Sequence, residues 1–285
     1  VTIRYRTVRI DGLDVFYREA GDPSAPTLVL LHGFPTSSIA YQELMGELRD
    51  EFHLIAPDYP GFGHSSAPAA GEFGYTFDRF ADVVDRLLDT LGVRRYALYV
   101  HDYGAPVGFR LAVRHPEWIT GIVTQNGNAY EEGLTPFWDP FKKAWADPQA
   151  GTAALRAYFT WEATQWQYTH GVPDTTLVNP DKALFDQALL DRPGSADIQL
   201  ALFLDYGGNV ALYPQWQEYL RTHRPPVLAV WGRNDEIFGP DGARAFAGDV
   251  PDARIHLLDA GHFPLETRLA QIAALTRDFL RGLSD

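Results

Sequence analysis

Val100-His101-Asp102-Tyr103-Gly104-Ala105-Pro106-Val107-Gly108 follows a short apolar run and opens a helical pattern. It reads as a sharp strand-to-helix turn. Gly104 has to be small because a side chain there would strike the preceding strand, and the turn lifts Asp102 above the sheet edge. An Asp at such a junction also serves as a helix cap. The stretch alone therefore leaves two roles open for Asp102, a cap and an acidic nucleophile.

Outward from this turn, short β-branched and aliphatic runs at 2–10, 15–19, 27–31, 52–56, 96–100 and 119–125 alternate with helical patterns. Leu28-Val29-Leu30-Leu31 and Ala97-Leu98-Tyr99-Val100 are apolar on both faces, which suits strands covered on both sides of a parallel sheet. Thr76 is placed to cap a helix whose apolar stripe is Phe80, Val83, Val84, Leu87, Leu88 and Leu91, stopping at Gly92. This alternation predicts a doubly wound, mostly parallel α/β domain. It breaks over 129–222, where the chain is helical, irregular and rich in Trp, Tyr and Pro. It resumes with strands near 227–231 and 253–258 and a closing helix after Pro264. The expected organisation is a core over 1–128 and 223–285, interrupted by a helical insertion over 129–222.

Four loops carry chemistry, each directly after a core strand. His32-Gly33-Phe34-Pro35 follows the run 27–31; its glycine lets the backbone approach a substrate oxygen. The Phe34 N–H, with that of Tyr103, is placed to form a two-donor oxyanion hole. His32 itself reads as a structural residue that bonds its own loop. Trp231-Gly232-Arg233-Asn234-Asp235-Glu236 and Ala260-Gly261-His262-Phe263-Pro264 follow the last two strands. Open α/β sheets gather their sites at such strand ends. The order is oxyanion loop, nucleophile Asp102, orienting acid Asp235, base His262.

Composition narrows the function. The 285 residues contain 37 Asp+Glu against 24 Lys+Arg, a formal charge of −13, and no cysteine. That balance argues against nucleic acid and anionic membrane as partners, which need clustered cations. The lack of cysteine excludes disulfides, thiolate metal sites and a Cys nucleophile. No run approaches the 18 or so apolar residues of a membrane span, and the N-terminal stretch lacks an apolar signal core, so a cytoplasmic protein is expected.

These motifs resemble the α/β-hydrolase fold, and within it the branch with an aspartate nucleophile, the epoxide hydrolases and haloalkane dehalogenases. The resemblance implies Asp102 as nucleophile, Asp235 as acid, His262 as base, and the Phe34 and Tyr103 amides as oxyanion donors. It also implies that the insertion is a cap closing the pocket, with neither cofactor nor metal needed. A carboxylate is already ionised at neutral pH; attack on a saturated carbon gives an alkyl ester that a His-activated water hydrolyses. The two leaving groups differ. An epoxide leaves as a strongly basic alkoxide and needs an acid, which epoxide hydrolases supply from cap tyrosines. A halide needs only N–H donors.

Tyr206 lies where epoxide hydrolases carry one such tyrosine, and His-Gly-Phe-Pro is similar to theirs. Where the other tyrosine is expected the sequence has Trp145, an indole donor suited to a halide, with Tyr158 and Tyr168 the nearest hydroxyls. Trp145 and Tyr168 are the expected substrate contacts. A fluoroacetate-type dehalogenase clamps a carboxylate with two arginines just after its nucleophile. Tyr103 and Pro106 stand there instead, which implies a small, uncharged, apolar substrate. An epoxide hydrolase is the first expectation, a haloalkane dehalogenase the second. A non-catalytic binding protein on the same fold is the alternative of another class.

Overall fold

The computed structural model describes residues 2–283. Eight strands build one sheet: β1 (Arg4–Ile10), β2 (Leu13–Ala20), β3 (Thr27–Leu31), β4 (His53–Pro57), β5 (Tyr96–His101), β6 (Ile119–Gln125), β7 (Val227–Gly232) and β8 (Arg254–Leu258). Their order is β1-β2-β4-β3-β5-β6-β7-β8. β1 and β2 form an antiparallel hairpin paired antiparallel to β4, and every later pairing is parallel. The strand order reverses between β3 and β5, where such sheets open a crevice at their carboxyl ends.

The helices are α1 (Gln42–Leu48), α2 (Ala70–Phe73), α3 (Phe77–Thr90), α4 (Gly104–Arg114), α5 (Asp139–Ala146), α6 (Pro148–Leu155), α7 (Trp161–Thr169), α8 (Pro180–Leu190), α9 (Ser195–His223), α10 (Pro240–Asp249) and α11 (Leu265–Arg281). Alternation along β3 decides the layers. Leu28 and Leu30 pack with Leu44 and Met45 of α1 and Ile272 and Phe279 of α11. Val29 and Leu31 face the other side, with Phe80 and Leu87 of α3, Phe109 of α4 and Phe246 of α10. Both faces of the parallel strands are thus covered, as their unbroken apolar runs require. The Thr76 side chain accepts from the Arg79 N–H and caps α3, whose apolar stripe is buried as the periodicity predicts. In the closing helix Ile272, Phe279 and Leu280 are buried, while Leu269 and Leu275 are only partly covered.

Between β6 and β7 the chain leaves the sheet and forms α5 to α9, a helical cap over the carboxyl ends of the strands. Lys182 of α8 ties this cap to the core. Its ammonium lies 2.8 Å from both Glu43 of α1 and Glu266 in the first turn of α11. The side chains of Lys182 and Glu266 have little exposure, so the pair fixes where α8 sits: removing either partner would strand the other's charge away from water.

Candidate active site

Asp102 sits at the end of β5 with φ +50°. Asp is among the few residues that enter this region without a large steric cost. Two glycines permit the turn. A Cβ at Gly104 would overlap the Leu31 carbonyl oxygen, and one at Gly33 would overlap the Asp102 side chain itself. The second contact shows how closely the oxyanion loop approaches the carboxylate. The Phe34 N–H donates to Asp102 Oδ1 at 2.7 Å. Burial raises the Asp102 pKa, opposed by the nearby His262 and by the backbone N–H groups of Phe34 and Tyr103.

His262 and Asp235 meet Asp102 from the last two strands. His262 Nδ1 lies 2.8 Å from Asp235 Oδ2, while its Nε2 faces Asp102 Oδ2 at 3.8 Å. With the proton on Nδ1 donated to Asp235, Nε2 presents a lone pair toward the carboxylate. Burial pulls the His262 pKa down; the Asp235 carboxylate and its hydrogen bond, then the Asp102 carboxylate, outweigh this and leave it raised. The structure therefore brings together Asp102, Asp235, His262 and the Phe34 and Tyr103 amides, the residues named from the sequence. His32 bonds its own loop through Gly33 O and accepts from the Tyr59 N–H, and burial pushes its pKa down to about 4.

Two buried residues that the motifs did not single out complete the frame. Asn126, after β6 with φ +47°, donates from Nδ2 to Asp235 Oδ2 at 2.8 Å and accepts from the Gly232 N–H at 2.9 Å. With the Ile237 N–H on Oδ1, Asp235 is held on both oxygens. His101 Nε2 donates to the His262 carbonyl oxygen at 2.9 Å; burial keeps His101 neutral. The signal for Asn126 is its place: Gln125-Asn126-Gly127-Asn128 is another polar, glycine-containing turn at a strand's carboxyl end.

A cavity of about 30 Å³ opens above Asp102, walled mainly by aromatic rings of the core and cap. Three phenols, Tyr103, Tyr158 and Tyr206, line it. The buried Tyr206 and Tyr103 hydroxyls have no hydrogen-bond partner among the described residues. Burial, reinforced by the neighbouring Tyr213, holds the Tyr206 pKa well above its ordinary value. A larger cleft of about 730 Å³ lies at the opposite ends of the strands, around Thr27, His53 and Tyr96, away from the triad.

Two expected substrate contacts lie elsewhere. Trp145 donates its indole N–H to the Phe203 carbonyl at 2.8 Å, and its ring stacks behind Tyr206. Gly207 makes room for it: a Cβ there would come within 2.9 Å of the indole. Trp145 thus backs the cavity wall instead of lining it. Tyr168 donates to Asp186 Oδ2 at 2.6 Å and stacks flat on Phe263, 4.3 Å between centroids. Burial raises the Asp186 pKa to about 7. Tyr168 is an anchor between α7 and α8, facing away from the cavity. Trp138, which does line the cavity, spends its indole N–H on the Ile237 carbonyl at 2.8 Å.

Residues 26–269 match the model of the alpha/beta hydrolase fold family. The chain belongs to the α/β-hydrolase family. This hydrolase is 45% identical over 279 residues to the uncharacterized hydrolase YNR064C of Saccharomyces cerevisiae, covering 96% of each chain. It is 30% identical over 260 residues to haloalkane dehalogenase 2 of Mycobacterium bovis, covering 88% of this chain and 86% of that one. Its fold is similar to that of the haloalkane dehalogenase DatA from Agrobacterium tumefaciens, with a TM-score of 0.82 at 23% identity over 99% and 97% of the chains. Among its described residues no helix is long and apolar enough to cross a membrane.

Proposed function

We propose that this hydrolase opens epoxides, with residues 129–222 acting as the cap that supplies the acid. The observation that carries the choice of leaving group is where the donors go. Both indole N–H groups nearest the cavity are spent on backbone carbonyls, whereas the buried Tyr206 hydroxyl on the cavity wall makes no hydrogen bond of normal geometry among the described residues and has only the Tyr213 hydroxyl beside it. A halide would lack its indole cradle; an alkoxide would find a proton. The low charge and aromatic lining of the cavity favour a small, uncharged substrate.

In this reading Asp102 attacks one ring carbon, the C–O bond breaks, and the alkoxide takes the Tyr206 proton. Tyr158 and Tyr103 carry the other hydroxyls on the cavity. His262 then takes a proton from water, and the hydroxide adds to the Asp102 carbonyl carbon. The Phe34 and Tyr103 amides, already facing this carboxyl group, stabilise the oxyanion. Collapse releases the diol oxygen, which His262 protonates. Asp102 re-forms as an acid whose proton returns to the tyrosinate. Asp235, fixed by Asn126, keeps the imidazole in the required tautomer.

Tyr206→Phe is expected to slow hydrolysis of a styrene-type epoxide by about a hundredfold, an ordinary general-acid contribution. Turnover of a bromoalkane, whose leaving group needs no proton, should change little. Equal losses on both would make Tyr206 a wall of the pocket. The haloalkane dehalogenase relative favours the second reading, halide displacement by the same Asp102 ester; bromoalkane turnover without epoxide turnover in the unaltered protein would establish it.

The pH profile tests the two steps separately. The first needs ionised Asp102, so kcat/KM is expected to fall as pH drops through a pKa above the ordinary carboxylate value. The second needs neutral His262. Esterification removes the Asp102 charge that helps raise the His262 pKa, so the imidazole of the ester intermediate holds its proton less tightly than that of the free protein. Where ester hydrolysis limits turnover, the acid limb of kcat should therefore lie below the His262 pKa measured by NMR in the free protein. An acid limb above it would contradict the coupling.

A further inference from the structure

One carboxamide on the cavity has no task in the scheme above. Gln167 of α7 lines the cavity with only 5% of its surface accessible. Its carboxamide makes no hydrogen bond to the described residues, whereas Thr164 and Tyr168 of the same helix are paired. On the same helix Thr164 Oγ1 donates to Gln187 Oε1 at 2.7 Å, and Tyr168 donates to Asp186. Gln187 Nε2 in turn donates to the Phe159 carbonyl and to Asp191. The Gln167 amide is not sealed from solvent, but in so apolar a wall a leucine or methionine of similar volume would be the ordinary choice. Gln167 is thus a polar group in an aromatic wall, across the same small space as Asp102 and Tyr206.

We infer that Gln167 is a specificity-determining residue that binds a second oxygen on the substrate, so that the preferred substrates carry a hydroxyl, ether or carbonyl oxygen near the reacting carbon. This deepens the proposed function and rests on Asp102 as the attacking group. A carboxamide offers two N–H donors and one acceptor, which match an ether or carbonyl oxygen by donation and a hydroxyl in both senses. A hydrocarbon chain would leave it bare. A carboxylate substituent does not fit, because among the described residues no Lys, Arg or His lines the cavity and Asp102 would repel it.

The test uses isosteric pairs that differ by one oxygen. The epoxides are glycidyl methyl ether and 1,2-epoxypentane; the bromides are 1-bromo-2-methoxyethane and 1-bromobutane. For whichever leaving group the protein accepts, kcat/KM should favour the oxygen-bearing member by at least about tenfold, since a site built to hydrogen-bond an oxygen rejects the analogue without it. Gln167→Leu should erase that preference through KM, leaving the hydrocarbon member within about threefold of its original rate. Gln167→Met, checked for an unchanged melting temperature, guards against a packing defect. No preference in the unaltered protein would overturn the inference, as would equal losses on both members in the Leu and Met variants. Turnover of the bromides alone would sink the epoxide reading, while the oxygen preference would still be scored on that pair.

Discussion

Asp102→Asn is expected to abolish turnover, by at least about ten-thousandfold, as removal of a nucleophile does elsewhere, with the melting temperature little changed. Asn tolerates the φ of +50° at this position as well as Asp does. Its Oδ1 can still accept the Phe34 N–H, which now ends on Asp102 Oδ1. A neutral amide, however, has no charge with which to displace a leaving group. Because the substitution preserves shape and the bond from the Phe34 N–H, it separates the two roles that the sequence left open. If Asp102 were only the cap of α4, Asn would serve and activity would survive. Retained turnover on both an epoxide and a bromoalkane would end the mechanism proposed here. A loss accompanied by unfolding would show a structural role.

The turn around Asp102 was legible because its constraints are local. Gly104 has to clear the Leu31 carbonyl, and Gly33 has to clear the Asp102 side chain; contacts of that kind admit one residue and so leave a mark on the sequence. Asp235 and His262 were legible for a related reason, since each follows a strand whose apolar run announces it. The cap was different. α7, α8 and α9 are packed on several sides, with apolar residues on more than one face, so periodicity does not say which side looks into the cavity. Trp138 and Trp145 stand seven residues apart, near the same face of one helical stretch. Trp138 lines the cavity, and Trp145 lies behind Tyr206 because Gly207 admits it there. Tyr168 and Gln167 are neighbours, and the turn of α7 sends the first to Asp186 and the second to the cavity. Helix-on-helix packing decides such assignments, and no short motif encodes it.

His262→Gln is expected to behave differently from the Asp102 variant: the protein should react once and stop. The first step uses the Asp102 charge and a cap hydroxyl, and His262 Nε2, 3.8 Å from Asp102 Oδ2, is not needed as a base there. The second step requires that nitrogen to take a proton from water. Glutamine can occupy the space and donate its amide toward Asp235, which Asn126 and the Ile237 N–H continue to hold, but it cannot accept the proton. The ester on Asp102 should therefore accumulate, and intact-mass spectrometry after mixing with substrate should show the chain heavier by one substrate. For an epoxide the adduct carries the whole substrate mass; for a bromoalkane it carries the alkyl group with bromide lost, so one spectrum also reports the leaving group. Steady turnover should fall by about ten-thousandfold or more, on the scale of removing a catalytic base. A variant that is inactive, folded and free of adduct would place His262 in the first step instead, where its positive charge beside Asp102 would be acting on the nucleophile and not on the water.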